Sequence, residues 1–149
     1  MTYGGRAHCV LMYRNDLTGI AAPCCASWPR WLCANTHKRN TPEFGIFGDE
    51  SHYFVQNGNQ TALVLSWLLQ YLHFRDVFIL VEQPEDSLQS THPSMEFAYS
   101  IIQPEKMHTW LGAFGNIIMK PTYFWTTMNP DIAQELLVTW PVYPYSWGR

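Results

Sequence analysis

The chain has 149 residues, of which 47% are apolar, 15% aromatic and only 14% charged. That composition builds a core, fits one domain, and excludes a disordered tail. The most apolar stretch, residues 62–74, is interrupted by Ser66, Gln70 and His73, and is shorter than the ~20 residues a membrane helix needs. No basic-then-apolar leader opens the sequence, so a soluble, intracellular protein is expected, cytoplasmic or nuclear. The net charge of −3 is unevenly spread. Residues 1–42 carry Arg6, Arg14, Arg30, Lys38 and Arg39 against Asp16, whereas the remainder holds four basic and eleven acidic residues. A basic first third could meet a polyanion such as DNA, although an ordinary solvated surface has the same composition.

A first strand is expected over residues 17–22, an apolar run stopped by Pro23. Residues 24–58 read as a long loop containing Pro29, Pro42, Gly45 and Gly48. Its aromatic residues, among them Trp28, Trp31, Phe44, Phe47, Tyr53 and Phe54, suggest that it packs. A helix follows over residues 61–74, with Asn59 as its cap. Leucines, Val64 and Trp67 cover nearly all its faces, as in a helix buried on every side. Any face left uncovered would favour self-association or a complementary upstream domain.

Residues 76–82, Asp-Val-Phe-Ile-Leu-Val-Glu, form the best strand, a continuous apolar run of the kind covered on both faces. Pro93 opens another helix that stops near Pro104. Residues 107–111 and 121–127 read as strands, and Asn129-Pro130-Asp131 starts a last helix through Leu137. The tail, 141–149, has no clear class. Alternation of this kind implies an α/β fold, a parallel-biased sheet with helices on both faces. Ligands then gather at the carboxyl ends of the strands, where Pro23-Cys24-Cys25 and Glu82-Gln83-Pro84 stand.

Four cysteines, Cys9, Cys24, Cys25 and Cys33, contain no C-x-x-C pair. The adjacent pair is poorly placed for a mutual disulfide. Cys33-x-x-x-His37 is the one regular element a zinc site could recruit, with His8 and the other cysteines as further donors. Free thiols and no metal are expected. A thiol after a strand-ending proline can act as a nucleophile where its thiolate is stabilised. A carboxylate ending a buried strand is suited to donating a proton or hydrogen bond. A small buried hydrophobe and a solvated strand end are the plain alternatives.

The segments IAAPCCASW, ILVEQP and LGAFGNIIMKPTYFWTT, with VQNGN before the long helix, resemble in their order motifs of cytosine-5 DNA methyltransferases and their divergent phage and protist relatives. The resemblance spans residues 17–127, about three quarters of the chain. It implies a Rossmann-like methyltransferase fold, of which this chain matches the later part. It also implies Cys24 as catalytic nucleophile, with Cys25 as runner-up, and Glu82 as the catalytic residue holding the cytosine ring. Lys120, Gln83 and Arg30 would contact the DNA substrate, and S-adenosylmethionine would be the methyl donor. Glu-Gln-Pro stands where the family has Glu-Asn-Val or Glu-Asn-Pro, and Lys120 stands in place of several arginines. No glycine-rich cofactor loop precedes the first strand, so weak or no binding of S-adenosylmethionine by this chain is expected. A binding module that keeps the fold, without catalysis, is the alternative. It would contact nucleic acid or protein through Arg30, Lys38 and Arg39.

Overall fold

The computed structural model describes residues 10–13, 18–23, 27–29, 37–110 and 121–139. Strands β1 (Val10–Tyr13) and β2 (Thr18–Ala22) precede helix α1 (Tyr53–Phe74), β3 (Phe78–Pro84) and helix α2 (Pro93–Ile102). Strands β4 (Glu105–Trp110) and β5 (Pro121–Thr126) and helix α3 (Pro130–Thr139) complete the order. The sheet runs β1-β2-β3-β5-β4. Only β2 and β3 pair in parallel; the other three pairs are antiparallel. The fold is therefore α/β with a mixed sheet, which corrects the expected parallel bias.

Connection length explains the correction. Four residues join β1 to β2 and ten join β4 to β5, whereas a parallel crossover takes a dozen or more. Only the α1 and α2 connections are long enough to cross over. β5 enters between β3 and β4 and runs against both.

Both sheet faces are covered. On one, Ile79 and Val81 pack with Ala62, Leu65, Leu69 and Leu72 of α1 and Met95 and Ile102 of α2. On the other, Leu80 and Phe124 pack with Met128 and Ala133, the latter from α3. Strand side chains alternate between faces, so a strand covered twice reads as an unbroken apolar run. Pro93 opens α2 behind His92, whose ring accepts from the Ser94 N–H (3.3 Å). Gln103 closes it in the left-handed region at φ 46°.

Helix α1 starts eight residues before its expected beginning, inside the segment read as loop. Asn59 is not its cap but an interior residue. Its side chain accepts from Arg39 Nη1 (2.7 Å) and donates to the Phe47 carbonyl (3.0 Å) and Glu50 Oε1 (2.8 Å). Gly58 would ordinarily weaken a helix. Here a Cβ would run into Ser27 Oγ and lie 2.9 Å from Arg39 Nη2 and 3.2 Å from Trp28 Nε1. The helix passes this point because the residue has no side chain.

Arg39, read as a possible nucleic-acid contact, is 1% exposed. Its Nε donates to the Ser27 carbonyl, Nη1 to the carbonyls of Ile46 and Phe47, and Nη2 to Ser27 Oγ and the Val55 carbonyl, all at 2.9–3.1 Å. The guanidinium carbon lies 3.6 Å from the Trp28 ring centroid. Lys38 does remain exposed, 3.7 Å from Asp49 and 5.0 Å over Phe44. Gly58→Ala is expected to lower stability by about 1–3 kcal/mol, although alanine favours a helix by ~1 kcal/mol. Urea unfolding followed by circular dichroism checks this; an unchanged or raised midpoint would refute the close approach.

Candidate functional site at the carboxyl edge of the sheet

Parallel pairing of β2 and β3, with Ala21 opposite Val81, brings their carboxyl ends to one edge. Pro23, to which Cys24 is joined, follows directly on β2. Gln83 Nε2 donates to the Pro23 carbonyl (3.3 Å) and to the Glu82 carbonyl (2.8 Å). Gln83 Oε1 accepts from Ser87 Oγ (2.7 Å). With 3% of its surface exposed, Gln83 acts as a strut between the two strand exits. An asparagine at this position would be one methylene shorter.

Glu82 is half-buried, and its register partner on β5 is Phe124. By strand alternation its side chain shares the face of Leu80 and Phe124, opposite to that of Gln83. The third motif reaches the same edge. Glu85 N–H donates to the Pro121 carbonyl (3.1 Å), and Pro121 stands opposite Trp110. Cys24, Cys25, Arg30 and Lys120 lie outside the described residues. Their flanking residues Pro23, Pro29 and Pro121 are described, and Pro23 and Pro121 belong to this edge.

The opposite face of β4 and β5 carries a cross-strand ladder that the sequence reading missed. Lys106 Nζ sits 3.6 Å over the Tyr123 ring and 5.0 Å over Trp125. His108 lies 5.1 Å from the Tyr123 ring, and its Nε2 is 3.4 Å from Glu85 Oε1. The same carboxylate accepts from the Tyr123 hydroxyl (3.4 Å). The period-two alternation of Lys106, His108 and Trp110 was the available signal. Trp125 stacks on Tyr99 (4.8 Å), and burial pushes the Tyr99 hydroxyl pKa well above its usual range.

The loops feeding this edge are joined through Trp28, whose carbonyl accepts from Leu88 N–H (2.9 Å) just beyond β3. His92 meets Trp28 and Phe47 edge-on, with centroids 5.7 and 5.2 Å away. His92 Nε2 and His37 Nδ1 are buried without a hydrogen-bond partner among the described residues. Burial, and then the charge of Arg39, hold both imidazoles below the ordinary 6.5; His52 adds a smaller effect on His37. Among the described residues no three His, Cys, Asp or Glu side chains group to hold a metal, and no helix is long and apolar enough to cross a membrane. Comparison of the chain with protein-family models, curated proteins and solved structures gives no match.

The two histidines make stability depend on pH. The unfolded chain takes up protons near pH 6.5 while the folded one stays neutral, so unfolding gains protons as pH falls. Stability is complete above about pH 6.5 and declines from there towards the lowered folded values. The urea midpoint is expected to fall between pH 7.5 and 5.5, with a smaller fall in His92→Asn; a flat wild-type profile would contradict it. Gln83→Leu is expected to cost about 1–3 kcal/mol, read from the same midpoint at pH 7.5.

Proposed function

We propose that this chain is the later part of a cytosine-5 DNA methyltransferase-like domain, whose Cys24 thiolate adds to a cytosine held by Glu82. One observation carries the proposal. The exits of β2 and β3 lie side by side, tied by Gln83 to the Pro23 carbonyl, and Pro121 of the third motif meets Glu85 at that edge. Three segments distant in sequence thus support a single site.

The chemistry suits these residue types. The thiolate forms a bond to C6 of the ring, and the C5–C6 π electrons move to C5. Glu82, sharing a proton with the ring nitrogen N3, accommodates the charge and makes C6 more electrophilic. C5 then takes a proton from solvent; loss of a proton from C5 and departure of the thiolate restore the base. A duplex hides C6 within the stack, so the base must be flipped out or already single-stranded.

S-adenosylmethionine is a different matter. The strands exit through Pro23 and Pro84. The described glycines with positive φ, Gly45 and Gly48, serve the turn closed on Arg39. These residues do not fit an adenosyl cradle.

Addition without a methyl donor is testable because it exchanges the hydrogen at C5. Single-stranded DNA tritiated at cytosine C5 is expected to release tritium to water with the full chain. Cys24→Ser should lower the rate at least 100-fold and Glu82→Gln at least 10-fold, with circular dichroism unchanged, while Cys25→Ser stays near wild type. Release no faster than the Cys24→Ser background would overturn the proposal.

A further inference from the structure

Among the described residues, a long apolar surface faces water on α1. The buried side of that helix uses Val55, Gly58, Ala62, Leu65, Leu69 and Leu72. Almost diametrically opposite, Val64, Trp67, Tyr71 and Phe74 follow each other at spacings of three, four and three residues. All four are 60–73% exposed. A 3-4-3 spacing is the seam of a helix pair. Phe97 of α2, equally exposed, extends the surface sideways across an open groove of about 340 Å³ lined by Ser66, Trp67, Gln70, Ser94 and Phe97.

The chemistry of the surface selects its occupant. None of the 22 residues of α1 is Asp, Glu, Lys or Arg. His73 in its last turn is its single basic residue, too little to hold a polyanion or to form the basic rim that an anionic membrane needs. An uncharged apolar seam meets no repulsion from its own copy, and an isologous contact places the same patch on both sides. Size agrees. Aromatic rings bury about 150–250 Å² each, so the exposed parts of these five side chains amount to roughly 600–700 Å² per chain. A stable interface needs ~800 Å² per partner, a margin that the flanking Leu63 and Gln60 supply. The largest apolar patch of a monomer is typically about 300–600 Å².

We infer that α1 pairs antiparallel with α1 of a second copy of this chain, crossing near Trp67 and Tyr71, with Phe97 and the groove at the margin. The inference is independent of the chemistry proposed at the sheet edge.

Sedimentation equilibrium of the full chain from 1 to 50 μM tests it. The wild type is expected as a dimer, and Trp67→Gln/Tyr71→Gln as a monomer whose dissociation constant is raised at least 100-fold. Ile132→Gln, altering an exposed apolar residue on α3 instead, should leave the dimer intact. Far-ultraviolet circular dichroism separates lost pairing from lost folding. A wild type that stays monomeric at 50 μM, or a dimer that survives the double substitution, overturns the inference.

Discussion

A buried guanidinium organises the part of the chain that local sequence rules read as loop. Each N–H direction of Arg39 meets an oxygen, and the oxygens come from Ser27, Ile46, Phe47, Val55 and Asn59. Taking such a cation out of water costs several kcal/mol, and it is tolerated where donors are satisfied and the planar face is covered. Trp28 covers that face. Lysine could not replace it, because a single ammonium on a flexible stem cannot reach acceptors spread over a plane. Gly58 belongs to the same arrangement, since the plane passes where its side chain would be.

That arrangement sets the carboxyl edge of the sheet. Residues 27–29 are held from one side by Arg39 and from the other by Leu88 N–H, so the chain leaving β2 is anchored beside the chain leaving β3. Gln83 closes the gap between the exits. Parallel strands bring their ends to a common edge by geometry alone, but they do not fix the distance between the segments that follow. Gln83 and Arg39 do. The pH sensitivity of His37 and His92 enters here, because both rings are packed close to the same cation. Protonating either places a second positive charge beside one that is already costly to bury.

Elements with a single local explanation were legible in the sequence. β3 announced itself because both faces are covered, and α2 because Pro93 and Pro104 bracket it. The start of α1 was not legible. Asn57, Gly58 and Asn59 are breakers by propensity, and it is contacts with residues distant in sequence, Arg39, Phe47 and Ser27 among them, that override them. Strand β1 was missed, since a run of only four residues gives too little periodicity to read. The strand directions could have been read from connection lengths rather than from the alternation of elements. At the site, Glu82 was visible as the end of a buried run and Pro23 as its neighbour's stop. The ladder of Lys106, His108 and Tyr123 was legible only as the alternation along β4, because its other half depends on pairing across β4 and β5.

Helix α1 also shows how one element can serve two ends of a fold. Its first half carries Val55, Gly58 and Asn59 against Arg39, beside the carboxyl edge. Its last buried residue, Leu72, reaches Gly19 near the start of β2, where a Cβ would lie 3.0 Å from Leu72 Cδ1. A β2-α1-β3 crossover requires this, since the helix must return the chain from the carboxyl edge to the amino edge. Val64, Trp67, Tyr71 and Phe74 all fall in the returning half, next to the exposed Phe78 that opens β3. Reading α1 as apolar on nearly all faces led to an expectation of burial on every side, which the fold corrects. One face packs against β3 and α2, and the opposite face is apolar and uncovered among the described residues. Because the exposed seam and the sheet-edge site occupy opposite ends of the helix, substitutions at Trp67 and Tyr71 do not touch the contacts that position Pro23 and Gln83.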